Sequence, residues 1–204
     1  AEQQDWVWHG ATVLRPTDDA PWRHALITLS HGGSDADVTR EFDLVTGQFV
    51  TPADGGFERP EAKGALSWID HDTVFLTTDL GPGSVSASGY PLQVRRWRRG
   101  TPMTDAELLY QAEPTDTLVA AGRDHTPGFV RDWVSRLVDF YDTEMMLLNP
   151  DDTLTAINVP LDCQAEPHRD LLLLTPRTDW DVDGMTVPAG ALGVAPLDAF
   201  LPGW

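Results

Sequence analysis

The sequence is most informative at first in what it lacks. Cys163 is the single cysteine in 204 residues, so neither an intrachain disulfide framework nor a multi-cysteine metal cage can form. One reduced thiol fits a cytoplasmic chain. No stretch approaches the roughly 18 consecutive apolar residues of a membrane helix, so no membrane partner is expected. Basic residues are few: 14 Lys and Arg stand against 32 Asp and Glu, for a formal charge of −18. Proteins that grip a phosphate backbone neutralise it with clustered Lys and Arg, so no nucleic-acid partner is expected either. Walker A and Rossmann glycine signatures are missing, and no cofactor is expected. An initiator Met and a basic-then-apolar leader at Ala1 to Gly10 are also missing, so the chain reads as trimmed. What is present is 41% hydrophobic residues with 9% aromatic, enough for a core in one domain or two small ones.

Seventeen Gly and sixteen Pro punctuate the chain, and Pro inside a helix costs about 3 kcal/mol, so short strands are expected throughout. The first region reads as four strands: Trp6 to Leu14, Ala25 to Ser30, Thr39 to Val45 and Gln48 to Thr51, the last two joined by a Thr46-Gly47 turn. A second region holds strands Ala65 to Ile69, Thr73 to Thr78, Leu92 to Arg98 and Glu107 to Ala112. In the third, Glu144 to Leu148 and Thr153 to Val159 flank the turn sequence Asn149-Pro150-Asp151-Asp152. The fourth runs from Asp170 to Thr175, through a turn at Asp179 to Gly184, into Met185 to Leu197. Phe129 to Tyr141 has apolar residues four apart, as a helix would, but its β-branched and aromatic content favours strand. Apolar runs near Ser67, Leu118 and Leu171 open successive regions about fifty residues apart, the period of a four-stranded propeller blade. The expected fold is all-β: one partial β-propeller domain over 1–204, with about three four-stranded blades and the start of a fourth. The approximate blades are 6–51, 65–112, 117–160 and 170–204. The eight tryptophans are expected to fill the cores between blades.

Candidate chemistry is sparse. Gly32-Gly33-Ser34-Asp35-Ala36 nearly matches the G-x-S-x-G nucleophile elbow, but an elbow must turn into a helix. Here the alternating Val38 to Leu44 follows, so a plain β-loop is expected at Ser34. His9, His24, His31, His71, His125 and His168 lack zinc-motif spacing and read as solvated loop residues, with no metal site. Asp18-Asp19, Asp70-His71-Asp72, Asp151-Asp152 and Asp179 to Asp183 fall at expected turns, where Asp bends and caps the backbone. A calcium loop over Thr178 to Gly184 would lack its distal Glu. A glycosidase pair of carboxylates stays open, since sequence spacing does not fix spatial separation. Arg95-Arg96-Trp97-Arg98-Arg99 could form an anion or nucleic-acid patch, but an alternating strand pairing with the abundant acids is the better reading.

Several segments together resemble the N-terminal propeller of the prolyl oligopeptidase (S9) family of serine peptidases. They include Trp6-Val7-Trp8-His9-Gly10-Ala11, Leu29 to Ala36, Arg40-Glu41-Phe42-Asp43-Leu44 and Pro60-Glu61-Ala62-Lys63-Gly64. Trp68 to Thr73, Ser88-Gly89-Tyr90-Pro91 and Trp97-Arg98-Arg99-Gly100 continue the series. Sparser matches follow at Arg123-Asp124, Gly128-Phe129 and Ala189 to Leu192. The resemblance implies roughly the first half of a seven-bladed propeller that caps an α/β-hydrolase domain and limits access to short peptides. The Ser, Asp and His of that hydrolase domain would lie outside this chain, so no catalytic residue is carried over. Implied partners are the C-terminal hydrolase domain and oligopeptide substrates. The alternative is a stand-alone β-repeat module that closes its ring by self-association.

Overall fold

The structure is a computed structural model, and it describes residues 5–16 and 20–202. Four antiparallel sheets follow one another along the chain, with a separate two-stranded sheet inserted in the last. The first holds β1 (Trp6–Val13), β2 (His24–His31) and β3 (Asp37–Asp43), with β4 (Gln48–Phe49) and β5 (Glu58–Ala62) sharing the outer edge of β3. The second runs in sequence order through β6 (Ala65–Asp70), β7 (Thr73–Thr77), β8 (Gln93–Arg98) and β9 (Glu107–Gln111). The third does the same through β10 (Leu118–Asp124), β11 (Arg131–Leu137), β12 (Thr143–Leu148) and β13 (Leu154–Ala156). The fourth contains β14 (Cys163–His168), β15 (Leu171–Pro176) and β18 (Gly193–Pro196), interrupted by the hairpin of β16 (Trp180–Val182) and β17 (Met185–Val187). The fold is all-β, as expected, and its sheets fit a partial propeller rather than a closed barrel.

The inner sheets are buried because they are sandwiched. Val74, Phe75 and Leu76 of β7 form a continuous apolar run buried on both faces. Val74 and Leu76 join Leu26, Phe57, Trp68 and Trp97 between the first and second sheets. Phe75 points the other way, into a cluster with Val94, Val119, Val134 and Met146 between the second and third. A third cluster of Ile157, Cys163, Leu172, Leu174 and Leu197 joins the third sheet to the fourth. Period-two alternation therefore serves two cores at once. β10 packs mainly against β6 and then β7, so the first strands of these sheets lie at the inner side of the fan. Antiparallel alternation places the turns β1–β2, β6–β7, β10–β11 and β14–β15 at one end, called here the first-turn rim.

Several local expectations change. The first region holds five strands, because the polar, Pro60-containing β5 is an edge strand, where a missing N–H is tolerated. β14 likewise carries Pro167 and pairs only with β15, so the apolar run at Leu171 is the second strand of its sheet. Asp179 to Gly184 is not one turn: Asp181 lies in β16, and Asp183-Gly184 (φ 49° and 77°) make the two-residue loop to β17. Met185 to Leu197 is broken into β17 and β18. Phe129 to Tyr141 is strand over β11, with loops at both ends. Of the tryptophans, Trp68 and Trp97 are core residues, whereas Trp8 and Trp22 are exposed. Four of the six histidines, His9, His24, His31 and His168, sit on strands rather than in loops.

Candidate functional site

A cavity of about 550 Å³ opens on the first-turn rim where the first three sheets meet. Its apolar wall includes Leu14, Pro21, Ile69 and Val130. Its polar lining comes from Arg15, Arg23, His24, His71, Arg123 and His125, with Asp70 the one carboxylate among the described lining residues. Three inner hairpins bring these groups together, so residues more than a hundred positions apart share one wall.

Most of the polar lining is anchored from behind. Arg23 donates to Asp43 through Nε at 2.9 Å and holds the Asp43 carboxyl down at about 2, helped by the backbone N–H groups of Thr46 and Val45. Arg123 forks onto Asp132 at 2.5 and 2.6 Å and donates to the Ile69 carbonyl at 3.0 Å. His24 Nδ1 lies 2.9 Å from Glu41 Oε1, and its ring meets His71 edge-on at 4.6 Å. His125 Nε2 is 3.2 Å from the Trp68 carbonyl oxygen. Arg15 has no ion-pair partner among the described residues.

Behind the cavity, Glu41 is the knot between the first two sheets. Its carboxylate accepts from Arg99 at 2.7 and 3.2 Å and from the Phe57 N–H at 3.0 Å. Burial pushes the Glu41 carboxyl up, but the hydrogen bonds from Arg99 and Phe57 outweigh it and leave the group below its ordinary range. Arg99 also donates to the carbonyls of Gly55 and His71.

At the other end of the same sheet face lies a trio with the composition of a catalytic triad. His9 Nε2 is 3.0 Å from Ser30 Oγ, and His9 Nδ1 is 3.5 Å from Asp37 Oδ2. A bulge in β1 between Trp8 and Gly10 aims His9 at the cross-strand pair Ser30 and Asp37. Ser30 is fully buried, so a substrate carbonyl cannot reach its oxygen without displacing β1. Asp37 is also the counter-ion of the fully buried Arg59, which donates to Thr39 Oγ1 at 3.2 Å and the Ala62 carbonyl at 2.8 Å. This geometry builds a core polar network, and a nucleophile activated by it would face protein on every side. No spacing motif links 9, 30 and 37, and only strand register could have found them.

The candidates named from sequence are dispersed. Ser34 is on the β2–β3 loop, where its hydroxyl donates to the Ala36 carbonyl at 2.8 Å, and β3 follows instead of a helix. The basic run is a strand up to Arg98, and two of its arginines find acids: Arg96 pairs with Glu107 and Asp152, and Arg99, just past the strand, with Glu41, whereas Arg95 donates to Gln93 and to the Ala106 carbonyl. Asp152 stands on the third sheet, so Arg96 clamps it to the second. Asp70 ends β6 and accepts from the Asp72 N–H, whereas Asp151 caps the Thr153 N–H and hydroxyl. Asp18 and Asp19 lie outside the described residues. Cys163 is buried, and burial pushes its thiol pKa up. Among the described residues no group of three or more His, Cys, Asp or Glu is placed to hold a metal ion.

No protein-family model matches the chain. Among curated proteins it is 34% identical over 165 residues to the uncharacterized peptidase y4nA of Sinorhizobium fredii, covering 78% of this chain and 22% of that one. It is 26% identical over 181 residues to the uncharacterized peptidase RP174 of Rickettsia prowazekii, covering 82% and 25%. The chain thus spans about a quarter of the length of the curated relatives it matches. Among solved structures, a post-proline cleaving enzyme from Rickettsia typhi superimposes with a TM-score of 0.86 at 24% identity, over 98% of this chain and 30% of that one. Oligopeptidase B from Trypanosoma brucei gives a TM-score of 0.62 at 16% identity, over 100% and 26%. No described helix is long and apolar enough to cross a membrane.

Proposed function

We propose that this chain is a partial N-terminal propeller domain of a serine peptidase of the prolyl oligopeptidase family, and that it is a non-catalytic wall that gates peptide access to a hydrolase domain carried elsewhere. In this reading 1–204 is a single partial propeller domain with blades near 6–51, 65–112, 117–160 and 170–204. Its partners are the C-terminal α/β-hydrolase domain and oligopeptide substrates, in the cytoplasm. The observation that carries the reading is the superposition over 98% of this chain onto only 30% of a post-proline cleaving enzyme. The burial of Ser30 and the strand after Ser34 support the non-catalytic part. Bond breaking would follow serine attack, an imidazole base and an oxyanion hole in the hydrolase domain. The propeller's contribution is steric: a rigid fan of sheets admits short peptides and holds folded proteins away.

The test is an assay of the 204-residue chain on a chromogenic prolyl peptide. No turnover is expected. Turnover abolished by Ser30→Ala or Ser34→Ala would overturn the reading. In the whole peptidase, a short prolyl peptide should be cleaved and the same sequence displayed on a folded protein should not.

A second reading is favoured by the apolar residues exposed on the outermost sheets, Val7 and Trp8 on the first and Leu192 and Val194 at the fourth. Here the chain is a β-repeat module that closes its ring by self-association. Sedimentation separates the two: a discrete, thermally stable dimer favours the module.

A further inference from the structure

We infer that the cavity on the first-turn rim is a binding site for a small apolar monocarboxylate, gripped by Arg15, Arg23 and Arg123 against the Leu14, Ile69 and Val130 wall. The inference is independent of the peptidase reading, because it concerns binding to this chain and no cleavage. Its volume of about 550 Å³ suits a small molecule. Its charge is the unusual feature. Acids outnumber bases 32 to 14 over the whole sequence, yet three guanidiniums line this cavity among the described residues, Arg23 and Arg123 each paired with an acid behind the wall.

The guanidiniums differ in readiness. Arg23 and Arg123 are each fixed by a carboxylate behind the wall, Asp43 and Asp132, and neither arginine has all five N–H donors engaged. Holding them in place beforehand lowers the entropy cost of ordering them on a ligand. Arg15 has no carboxylate partner among the described residues, and its planar fork matches a carboxylate in bidentate fashion. Asp70 limits the accepted charge: a dianion such as phosphate would meet it at the same wall. The apolar side then calls for a hydrocarbon or aromatic body on the acid, and a purely polar anion would leave that wall wet.

The probes are N-acetylphenylalanine, its uncharged amide and inorganic phosphate, titrated calorimetrically into the intact chain at low salt, where surface electrostatics are least screened. The acid should bind about tenfold or more tightly than the amide, the scale of one charge-assisted contact, and phosphate should not displace it. Arg15→Gln should weaken the acid toward the amide's affinity without shifting the thermal midpoint. Val130→Trp, which fills the cavity from an exposed position, should weaken acid and amide alike. Equal binding of acid and amide would overturn the inference. So would displacement by phosphate, an unchanged acid affinity in Arg15→Gln, or no binding of the acid up to about 10 mM.

Discussion

Glu41 concentrates more of the molecule's electrostatics than any spacing in the sequence announces. It is fully buried, and its partners Arg99 and His24 come from two different sheets. A carboxylate held below its ordinary range contributes stability that is present above that range and is lost as pH falls through the folded-state value. Glu41, Asp43 (about 2) and Asp116, which is lowered by Arg136, all act in this direction. Stability should therefore decline between roughly pH 5 and pH 2, measured by denaturant titration at fixed pH. Glu41→Gln should cost about 1–3 kcal/mol at pH 7 and flatten that decline. An unchanged slope would place the acid sensitivity at Asp43 and Asp116 instead. Arg59 supplies a sharper test. Arg59→Met should cost about 3–5 kcal/mol, because it leaves the buried Asp37 carboxyl without its guanidinium partner. Adding Asp37→Leu should return most of the loss, since a well-packed apolar pair removes two desolvated charges together. A double variant as unstable as the single one would mean that the pair's hydrogen bonds to Thr39 and Ala62 matter more than its charges.

Elements were legible in proportion to their apolar content. β6, β7 and β12 stand out because Leu66, Trp68, Val74 to Leu76 and Met146 must each enter a core. β5 and β14 escaped notice for the same reason in reverse: Glu58 to Ala62 and Cys163 to His168 are polar, proline-bearing edges whose strand character comes from a neighbour's ladder. One contact between neighbouring strands was invisible for a different reason. Gly122 of β10 lies opposite Trp133 of β11, and a Cβ there would stand 2.6 Å from the indole Cζ2. The glycine is a seat for the ring, and its absence of a side chain is the fit. Gly122→Ala should therefore displace Trp133 and cost about 1–3 kcal/mol by overpacking. Urea unfolding would read the loss of stability and a shift in tryptophan emission would read the displaced ring. If stability and emission both stay as in the parent chain, the seat is not tight.

At the scale of the whole molecule, the repeat is what the sequence expresses best and the site what it expresses least. Turn residues and apolar runs recur because every sheet solves the same burial problem. The cavity and the Glu41 knot instead join residues from separate repeats, such as Glu41 with Arg99, 58 positions apart, and no local pattern encodes such convergence. The same stacking logic fails at the two ends of the fan. Inner sheets bury both faces, but Leu192 (70% exposed) and Val194 (56%) at the fourth sheet and Trp8 (61%) on the first meet solvent. Apolar side chains left there favour association, while a charge of −18 opposes it by mutual repulsion. Salt screens the repulsion and leaves the apolar attraction, with the Debye length falling from about 10 Å at 0.1 M to about 3 Å at 1 M. Sedimentation velocity should therefore show association that grows with protein concentration and is stronger in high salt. Leu192→Lys with Val194→Lys should suppress it at every salt concentration, because it places unpaired charges in the contact. Association that weakens as salt rises, or that survives both lysines, would locate the contact in ion pairs elsewhere on the surface.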